Sequence, residues 1–342
     1  MSNAVSAPPA AMQENDIRPE VLRRGQAEAY ARDLVKLQRR LPEFVRVNCP
    51  ACDADRATAA FQKYDFQFQR CGRCQTIYMS PRPTPEIMGA YYGNSENYQY
   101  WAERIFPASE AARREKIHRP MLEYIVAACV QHSVPRELLL EVGPGFGTFA
   151  ALALHARAFR RIVAIERTPQ MAQACRERGV EVIEQAVEDV SLAATGLANV
   201  VVSFEVIEHL FEPRGYIERC AALLSSGGLL VLTCPNGMGF DIATLGPKSS
   251  AVDSEHVNLF NPGSLSALLE RSGFEVLEAT TPGRLDAEFV RASVLAGETD
   301  IAADPLLRRV LLEEWDSLGA PFQQFLAARS LSSHMRILAR RG

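Results

Sequence analysis

The feature that most constrains the fold is a glycine-rich loop that directly follows a short apolar segment. Residues 138–148 read Leu-Leu-Leu-Glu-Val-Gly-Pro-Gly-Phe-Gly-Thr, with glycines at Gly143, Gly145 and Gly147. Positions without a side chain allow the backbone to turn sharply and to approach a ligand closely. The dinucleotide-binding pattern G-x-G-x-x-G would need a glycine at position 148, which Thr148 occupies. The spacing therefore argues against a phosphate-binding NAD site.

The chain around this loop alternates between short apolar runs and helical segments. The apolar runs are Leu138–Val142, Arg161–Ile165, Val180–Ile183, Val200–Phe204 and Leu229–Thr233, and helical segments lie between them at 149–156, 170–178 and 214–224. Near-continuous apolar strands separated by helices are typical of a parallel sheet that is covered on both faces. We therefore predict an α/β domain, followed by a helix at 264–271, a strand at 274–279, and one or two helices over 303–342 that end in a basic tail.

Two acidic residues lie where such a sheet binds its ligands. Glu141 precedes the glycine loop, and Glu166 closes the second apolar run. A carboxylate at the carboxyl end of a strand faces the ligand crevice of an open α/β sheet. At that place Glu166 can accept hydrogen bonds from both ribose hydroxyls of an adenosine; the alternative is a solvated acid in a loop. The neighbouring glycine loop favours the ribose interpretation.

Residues 136–283 resemble the class I S-adenosylmethionine-dependent methyltransferases. The matching segments are Glu141–Gly147, Glu166, Ser203–His209, Leu223–Leu230 and Cys234–Asn236. Within them, Glu-Val-Ile-Glu-His at 205–209 is similar to ubiquinone-pathway O-methyltransferases and to bacterial sugar or polysaccharide-cluster methyltransferases. The resemblance implies a Rossmann-like, mostly parallel seven-stranded methyltransferase sheet.

The same resemblance implies how S-adenosylmethionine binds. Glu141 and the three glycines would pack on the amino-acid part of the cofactor, Glu166 would hold the ribose, and Phe204 and Glu205 would line the cofactor site. Members of the family usually carry an acid near the adenine amine, but this chain has Ala186 at the aligned position. We therefore expect backbone groups near Val187, or the side chain of Glu188, to hold the adenine.

Four of the eight cysteines form two CxxC pairs, Cys49-Pro-Ala-Cys52 and Cys71-Gly-Arg-Cys74, eighteen residues apart. Two such pairs can supply four thiolates to one tetrahedral Zn²⁺. Because four protein ligands leave no open position, the zinc would be structural. The alternatives are unliganded thiols or a redox motif, but the strand–helix context of a redox CxxC is missing here.

The cysteine-paired segment also resembles a known arrangement. A zinc ribbon followed by Ile77–Thr84 and then by Tyr91-Tyr92 is similar to the N-terminal part of zinc-ribbon methyltransferases found with sugar-modifying and natural-product genes. Deoxysugar C-methyltransferases carry a similar N-terminal zinc unit. Together the two resemblances cover residues 44–283.

Two histidines are candidates for a catalytic role. The sulfonium methyl group is already a good electrophile, so the protein has to place a nucleophile and help remove its proton. His209 follows the fourth strand, and His256 lies in a polar loop with Asp253 and Glu255, either of which could hold its ring. The alternative for both is a hydrogen-bonded structural histidine. We expect His256, ahead of His209, to assist proton removal.

The stretch Glu205–His209 permits a second interpretation. Ubiquinone-type O-methyltransferases of similar sequence are thought to place a divalent ion there. Carboxylates from Glu205 and Glu208, with the imidazole of His209, would suit Mg²⁺ or Mn²⁺ better than zinc. Plain acids at a helix start are the alternative.

An aromatic stretch follows the ribbon. Tyr98, Tyr100 and Trp101 could cap the active site and contact the substrate, since sugars and aromatic rings both pack well on Tyr and Trp. The alternative is the packing of a linker onto the catalytic domain.

These features divide the chain into five predicted parts. They are a disordered tail and helix (1–43, with disorder to about residue 15), a zinc ribbon (44–82), an aromatic lid and helix (83–135), the S-adenosylmethionine-binding domain (136–283) and a C-terminal helical extension (284–342).

Composition and charge limit the partners. Hydrophobic residues make up 47% and charged residues 23% of the 342, which is ordinary for a globular protein. The net charge of −4 gives no general attraction to nucleic acid or acidic membranes. The sequence shows neither an apolar run of ~20 residues nor a signal peptide, so we expect a cytoplasmic protein without membrane insertion.

These arguments predict a methyltransferase for a small molecule. The expected acceptor is a nucleotide-linked or glycan sugar in polysaccharide biosynthesis, with O-methylation favoured over C-methylation. One rival is an rRNA or tRNA methyltransferase that grips nucleic acid with its ribbon. The other is a non-catalytic adapter that keeps a cofactor-binding fold.

Overall fold

A seven-stranded sheet lies at the centre of the computed structural model, which describes residues 12–342. Along these residues the strands are β1 (Ala57–Lys63), β2 (Phe66–Cys71), β3 (Ile77–Met79), β4 (Leu138–Val142), β5 (Arg161–Ile165), β6 (Glu181–Ile183), β7 (Ala198–Phe204), β8 (Leu224–Pro235), β9 (Asn258–Leu259), β10 (Phe274–Thr280) and β11 (His334–Arg341). The order across the large sheet is β6-β5-β4-β7-β8-β11-β10. Strands β4 to β8 pair in parallel, whereas β11 is antiparallel to both of its neighbours. The predicted Rossmann-like, mostly parallel seven-stranded fold is confirmed.

Helices cover both faces of the large sheet and also precede the ribbon and the last strand. They are α1 (Glu14–Ile17), α2 (Glu20–Gln38), α3 (Pro85–Gly93), α4 (Glu96–Tyr100), α5 (Phe106–Arg113), α6 (Arg119–Gln131), α7 (Thr148–His155), α8 (Pro169–Glu177), α9 (Leu192–Thr195), α10 (Pro213–Leu223), α11 (Phe240–Leu245), α12 (Pro262–Arg271), α13 (Asp286–Leu295), α14 (Pro305–Arg308) and α15 (Trp315–Ala328). One-turn π-helical segments at 101–105 and 114–118 join α4, α5 and α6. The predicted disorder near the start of the chain falls largely on residues 1–11, outside the described residues, while α1 begins at Glu14.

The apolar strands are buried on both faces, as their sequence predicts. In β4, Leu139 packs on one side of the sheet, with Phe149 of α7 and Ile125 of α6. Its neighbours Leu138 and Leu140 pack on the other side, in the core that includes α10 and α12. Successive side chains of a strand point to opposite faces, so an uninterrupted apolar run needs a layer of helices on each side. This arrangement leaves the carboxyl edge of the sheet as the free edge for a ligand.

The cysteine-paired segment forms a second sheet that is continuous with the large domain. Its strand order is β1-β2-β3-β9, with β1 to β3 in the ribbon and β9 far downstream in the chain. Tyr78 of β3 pairs with Asn258 of β9, and Ile77 pairs with Leu259. The ribbon and the large α/β domain therefore share backbone hydrogen bonds.

The C-terminal segment differs from the sequence prediction. Helices occupy much of 284–328, but the prediction of helices ending in a basic tail was wrong for residues 334–341, which form β11 between β8 and β10. Met335, Ile337 and Ala339 pack in the core on one face of the sheet, and Leu338 packs in the core on the other face. This alternation is typical of a strand, but the arginines between these residues make it hard to recognise in the sequence. Across residues 12–342, none of the helices is long and apolar enough to cross a membrane.

Candidate functional site

The glycine loop turns at the carboxyl end of β4. Gly143, Gly145 and Gly147 have positive φ angles of 72°, 54° and 74°, which side-chain-bearing residues avoid. A Cβ atom at Gly143 would lie 2.6 Å from Val206, and one at Gly147 would lie 2.7 Å from Cys175, so packing closes those two positions. A Cβ at Gly145 would meet no atom of the described residues within 4 Å. Gly145 therefore borders open space in which a ligand can reach the backbone.

Glu141 and Glu166 lie at the ends of the adjacent strands β4 and β5. Both are buried, at 3% and 6% exposure. Oε1 of Glu166 accepts a hydrogen bond of 2.8 Å from the Thr168 backbone N–H. Oε2 of Glu141 has no hydrogen-bond partner among the described residues. Burial, with a smaller contribution from Glu166, raises the pKa of Glu141 to about 8, and burial also raises the pKa of Glu166. A buried oxygen without a partner, such as Oε2 of Glu141, is suited to a polar group of a ligand.

The segment expected to hold adenine is a short 3₁₀ turn at Val187–Asp189. The Val187 side chain is buried in the core, and its carbonyl oxygen accepts a hydrogen bond of 3.1 Å from Nε of Arg219. That carbonyl is thus engaged by the protein. Glu188 and Asp189 are both exposed, and their carboxylates are the groups that this turn offers to a ligand.

Phe204 is the last residue of β7, Glu205 follows it, and their side chains contact different partners. The Phe204 ring packs edge-on against Phe149, with centroids 4.9 Å apart. Glu205 has a positive φ of 54°, and its Oε1 accepts hydrogen bonds from Thr233 Oγ1 at 2.8 Å and His334 Nε2 at 2.9 Å. Burial opposes both charges, but their mutual attraction outweighs it, so the pKa of Glu205 is lowered and that of His334 is raised. Glu205 is therefore held by an ion pair at the strand end.

Glu208, His209 and His256 come together next to this strand end. One ligand atom from each lies within 4.8 Å of the others. The rings of His209 and His256 stand at 71° to each other, with centroids 4.7 Å apart. Both carboxylate oxygens of Glu208 are buried without a hydrogen-bond partner among residues 12–342, and burial, followed by the charge of Glu205, raises the pKa of this acid. The cluster thus combines two imidazoles with one unpaired carboxyl group.

Hydrogen bonds fix the orientation of both imidazoles. Nδ1 of His256 donates to the Ala251 carbonyl at 2.9 Å, which leaves the lone pair on Nε2 free. Asp253 lies 3.5 Å from the same Nδ1, whereas Glu255 accepts a hydrogen bond of 2.9 Å from the Tyr91 hydroxyl. Of the two acids expected to hold the His256 ring, Asp253 therefore contacts it and Glu255 is turned to Tyr91.

His209 is held by the segment that follows the ribbon. The Tyr92 hydroxyl lies 3.3 Å from its Nδ1. Burial, and then the neighbouring His256, lower the pKa of His209 to about 3, so its ring is neutral near pH 7. A neutral imidazole at this place can accept a hydrogen bond or bind a metal ion.

The three aromatic residues expected at the substrate site separate. Tyr98 packs edge-on against Tyr92, with ring centroids 5.3 Å apart. Burial, and then the charges of Glu255 and Asp253, raise the pKa of Tyr98. Tyr100 instead lies over Gly25 of α2, where a Cβ would come within 2.4 Å of its hydroxyl. Trp101 lies under the Arg113 guanidinium, 5.2 Å from its ring centroid. The structure brings Tyr98 into the site and places the other two against neighbouring helices.

The four paired cysteines converge at the base of the ribbon. Sγ of Cys49 lies 3.5 Å from that of Cys74, and Sγ of Cys52 lies 3.5 Å from that of Cys71. All four sulfurs lie within 4.8 Å of one another. The Arg73 backbone N–H donates to Cys71 Sγ at 3.3 Å, as in a thiolate knuckle.

Sequence reasoning missed several residues of the site. Tyr92 belongs to a noted aromatic run but was not assigned to the site, and His334 gave no signal because the strand that carries it was predicted as helix. Arg82 and Asn258 were also missed, since their roles depend on contacts across more than 120 residues of sequence.

The fold and the site define a class of protein. A glycine loop after the first parallel strand, an acid after the second and a sheet completed by an antiparallel strand are the attributes of a methyltransferase domain. Residues 110–279 match the methyltransferase domain family. This segment of the chain is an S-adenosylmethionine-dependent methyltransferase domain.

Individual relatives are distant. A probable S-adenosylmethionine-dependent methyltransferase of Mycobacterium tuberculosis is 28% identical over 159 residues, which is 46% of this chain and 54% of that protein. The chain thus spans about half the length of this relative. A ubiquinone biosynthesis O-methyltransferase of Xanthomonas axonopodis is 28% identical over 176 residues, covering 48% of this chain and 72% of that protein. Among solved structures, a SAM-dependent methyltransferase from Archaeoglobus fulgidus aligns with a TM-score of 0.43 at 16% identity, covering 67% of this chain and 94% of that one.

Proposed function

We propose that this chain transfers the methyl group of S-adenosylmethionine to a hydroxyl group of a small molecule. One observation supports this most directly: the open glycine loop and the Glu208–His209–His256 cluster lie at the same edge of one sheet. Gly143 in the loop packs against Val206, which directly precedes the turn that carries Glu208 and His209.

The residues of the loop fit the cofactor. The open space beside Gly145 admits the methionine part, and the unpartnered Oε2 of Glu141 is suited to its ammonium group. Glu166, buried at the next strand end, offers its carboxylate to the two ribose hydroxyls. Glu188 is available to the adenine amine.

His256 is arranged to remove the proton of the acceptor. In the transfer, a bond forms between the acceptor oxygen and the methyl carbon while the sulfur–carbon bond breaks, and the hydroxyl proton has to leave. The Nδ1–H of His256 is engaged with Ala251, so Nε2 can take that proton, and Asp253 at 3.5 Å stabilises the resulting imidazolium. His209, whose pKa is about 3, is a poorer base and suits an orienting role.

The same cluster also fits a divalent cation, with a changed set of ligands. The E-x-x-E-H interpretation included Glu205, but its carboxylate is engaged by Thr233 and His334. The unpaired Glu208 carboxyl group with His209 and His256 is the set that the geometry supports. A bound Mg²⁺ or Mn²⁺ would supply positive charge beside the acceptor oxygen. Base and ligand are alternative roles for His256, and a Mn²⁺ titration of the purified protein separates them.

The cysteine cluster fits a structural zinc ion. Sulfur–sulfur distances of 3.5 Å are far longer than a disulfide bond and close to the roughly 3.8 Å edge of a tetrahedron with Zn–S bonds of about 2.3 Å. Asn261 Nδ2 donates to the Cys74 carbonyl at 2.9 Å, and Arg271 donates to the Ala51 carbonyl. The ribbon is thus bound to α12. This docking supports a zinc ion that stabilises the fold, and it favours that role over a ribbon that binds nucleic acid.

The acceptor class follows from the cleft and from the relatives. Tyr98 packs against Tyr92 beside His209, and aromatic side chains of this kind suit contact with a sugar ring. The Xanthomonas relative is named an O-methyltransferase, which supports oxygen as the acceptor atom. We propose a nucleotide-linked or glycan sugar as the substrate, in the cytoplasm.

Incubation with methyl-labelled S-adenosylmethionine tests this function. We expect label in one or more members of a panel of nucleotide-linked sugars and glycan fragments, and none with tRNA or rRNA. Label in RNA alone would establish the nucleic-acid function instead. Binding of S-adenosylhomocysteine without transfer to any acceptor would favour the adapter. Glu177→Ala, at an exposed acid of α8, is a control that retains activity.

A further inference from the structure

A buried arginine connects the ribbon to the turn that carries Glu208 and His209. The Arg82 side chain follows β3 and is 2% exposed. Its two terminal nitrogens donate to Asn258 Oδ1 at 2.8 Å and to the Phe211 carbonyl at 2.6 Å, and its guanidinium lies 4.8 Å from the Phe211 ring centroid. One side chain thus reaches both the strand after His256 and the turn after His209.

Asn258 completes the connection. It is fully buried, and its Nδ2 donates to the carbonyl oxygens of Ile207 at 3.3 Å and Leu210 at 2.7 Å. These carbonyls bracket Glu208 and His209, while Asn258 itself lies two residues after His256. The Asn258 side chain therefore spans the two segments whose imidazoles meet in the cluster.

Both cysteine pairs determine where Arg82 lies. The Arg82 backbone pairs with Val45, just before the Cys49–Cys52 knuckle, through hydrogen bonds of 2.9 and 3.0 Å. On the other side it follows β3, which continues from the Cys71–Cys74 knuckle and pairs with β9. Closing the four-cysteine site therefore fixes the backbone from which the guanidinium extends.

We propose that Arg82 and Asn258 are positioning residues that set the spacing of His209 and His256, and that the ribbon thereby builds the acceptor half of the active site. The inference rests on the proposed function for its catalytic meaning but on geometry alone for the positioning. The cofactor half, with Gly145 and Glu166, has no part in this network.

The test uses full-length, zinc-loaded Arg82→Lys and Asn258→Asp proteins. Lysine keeps the charge but cannot reach two acceptors with a planar fork. Aspartate keeps the acceptor for Arg82 but removes the donor to Ile207 and Leu210. Arg56→Lys is the matched control, because Arg56 is an exposed arginine of the same ribbon.

Histidine-ring NMR spectra give the deciding readout, since ring signals respond to the angle and distance between two imidazoles in edge-to-face contact. We expect the His209 and His256 signals to move in both variants, with His118 and His155 unchanged. Amide exchange over 207–211 should rise by about tenfold, as expected on losing a buried, charge-assisted hydrogen bond. Zinc content and S-adenosylhomocysteine affinity should stay within twofold of the wild type.

Unmoved His209 and His256 signals in either folded variant would overturn the proposal. Loss of zinc with changes at all histidines would also overturn it, since Arg82 would then be a general structural residue. If Arg82→Lys does not fold, Asn258→Asp decides alone. Once a substrate that becomes methylated is known, both variants should show a lower kcat for its methylation and an unchanged KM for S-adenosylmethionine. If no acceptor is labelled, the proposed function fails while the spectra still decide the positioning.

Discussion

The imidazole ring of His209 stands almost perpendicular to that of His256, at 71° and with 4.7 Å between the ring centroids. The first residue comes from the turn after β7 and the second from the loop before β9. The two rings are therefore in contact between a segment that follows the large sheet and a segment that leads into the ribbon sheet. One ring is fixed by Tyr92 and the other by Ala251, so the two histidines are held for different tasks.

Replacing His256 tests its role as the base. His256→Ala should lower the rate of single-turnover methyl transfer by ~10²–10⁴-fold, because no base then takes the proton from the substrate hydroxyl. The affinity for the cofactor should stay near normal. His155→Ala, on the exposed side of α7, is the control that should retain full turnover. Near-normal turnover of His256→Ala would refute the role, and lost cofactor binding would make His256 a residue of the fold.

Replacing Glu166 tests the ribose contact. Glu166→Ala should weaken S-adenosylhomocysteine binding by about 1.5–3 kcal/mol, the range for hydrogen bonds to a charged group. Calorimetry measures this directly, with Glu177→Ala as the exposed control from the following helix. An unchanged affinity would show that the ribose is held elsewhere.

Substitutions at Gly145 and Gly147 should differ in their effects on cofactor binding and on folding stability. Gly145→Ala should cost about 1–2 kcal/mol of folding free energy for its positive φ, but the added methyl group enters the space beside the loop and should abolish cofactor binding. Gly147→Ala should cost more in denaturant unfolding, since its methyl group also runs into Cys175. Equal stability losses with cofactor binding retained in Gly145→Ala would contradict this assignment.

The zinc site predicts about one Zn per chain. Cys71→Ser with Cys74→Ser should abolish zinc in metal analysis and loosen the ribbon, because two thiolates cannot hold the ion alone. Cys129→Ala, in α6, should retain zinc. Full zinc in the double variant would exclude the four-cysteine site.

The raised pKa of Glu141 should make the free energy of unfolding depend on pH. Its pKa is about 8 in the folded chain, and the ordinary value near 4.5 applies on unfolding. Between these values the folded state holds a proton that the unfolded state has lost, so the cofactor-free protein should lose stability as pH rises from about 4.5 to 8. Glu141→Gln should remove this part of the slope in urea unfolding at several pH values. An identical slope in the variant would show that Glu141 is ionised in the fold.

Local sequence predicted the parts of this molecule that depend on neighbours in the chain. The glycine loop, the parallel strands and the two cysteine pairs each carry their signal within about a dozen residues, and the structure places them as predicted. Glu205 shows the limit: its motif suggested a metal ligand or a cofactor contact, but His334 engages its carboxylate from a strand 129 positions later. Arg82 and Asn258 likewise acquire a role only when the ribbon docks, which no local pattern encodes.

The position of β11 also bears on how the chain is made. This strand pairs with β8 on one side and β10 on the other. Until residues 334–341 have left the ribosome, both of those strands keep an open edge, and exposed edges recruit other chains. Until synthesis has passed residue 341, β8 therefore keeps one unpaired edge and β10 has no strand partner, so products that stop before β11 should aggregate more readily than those that include it.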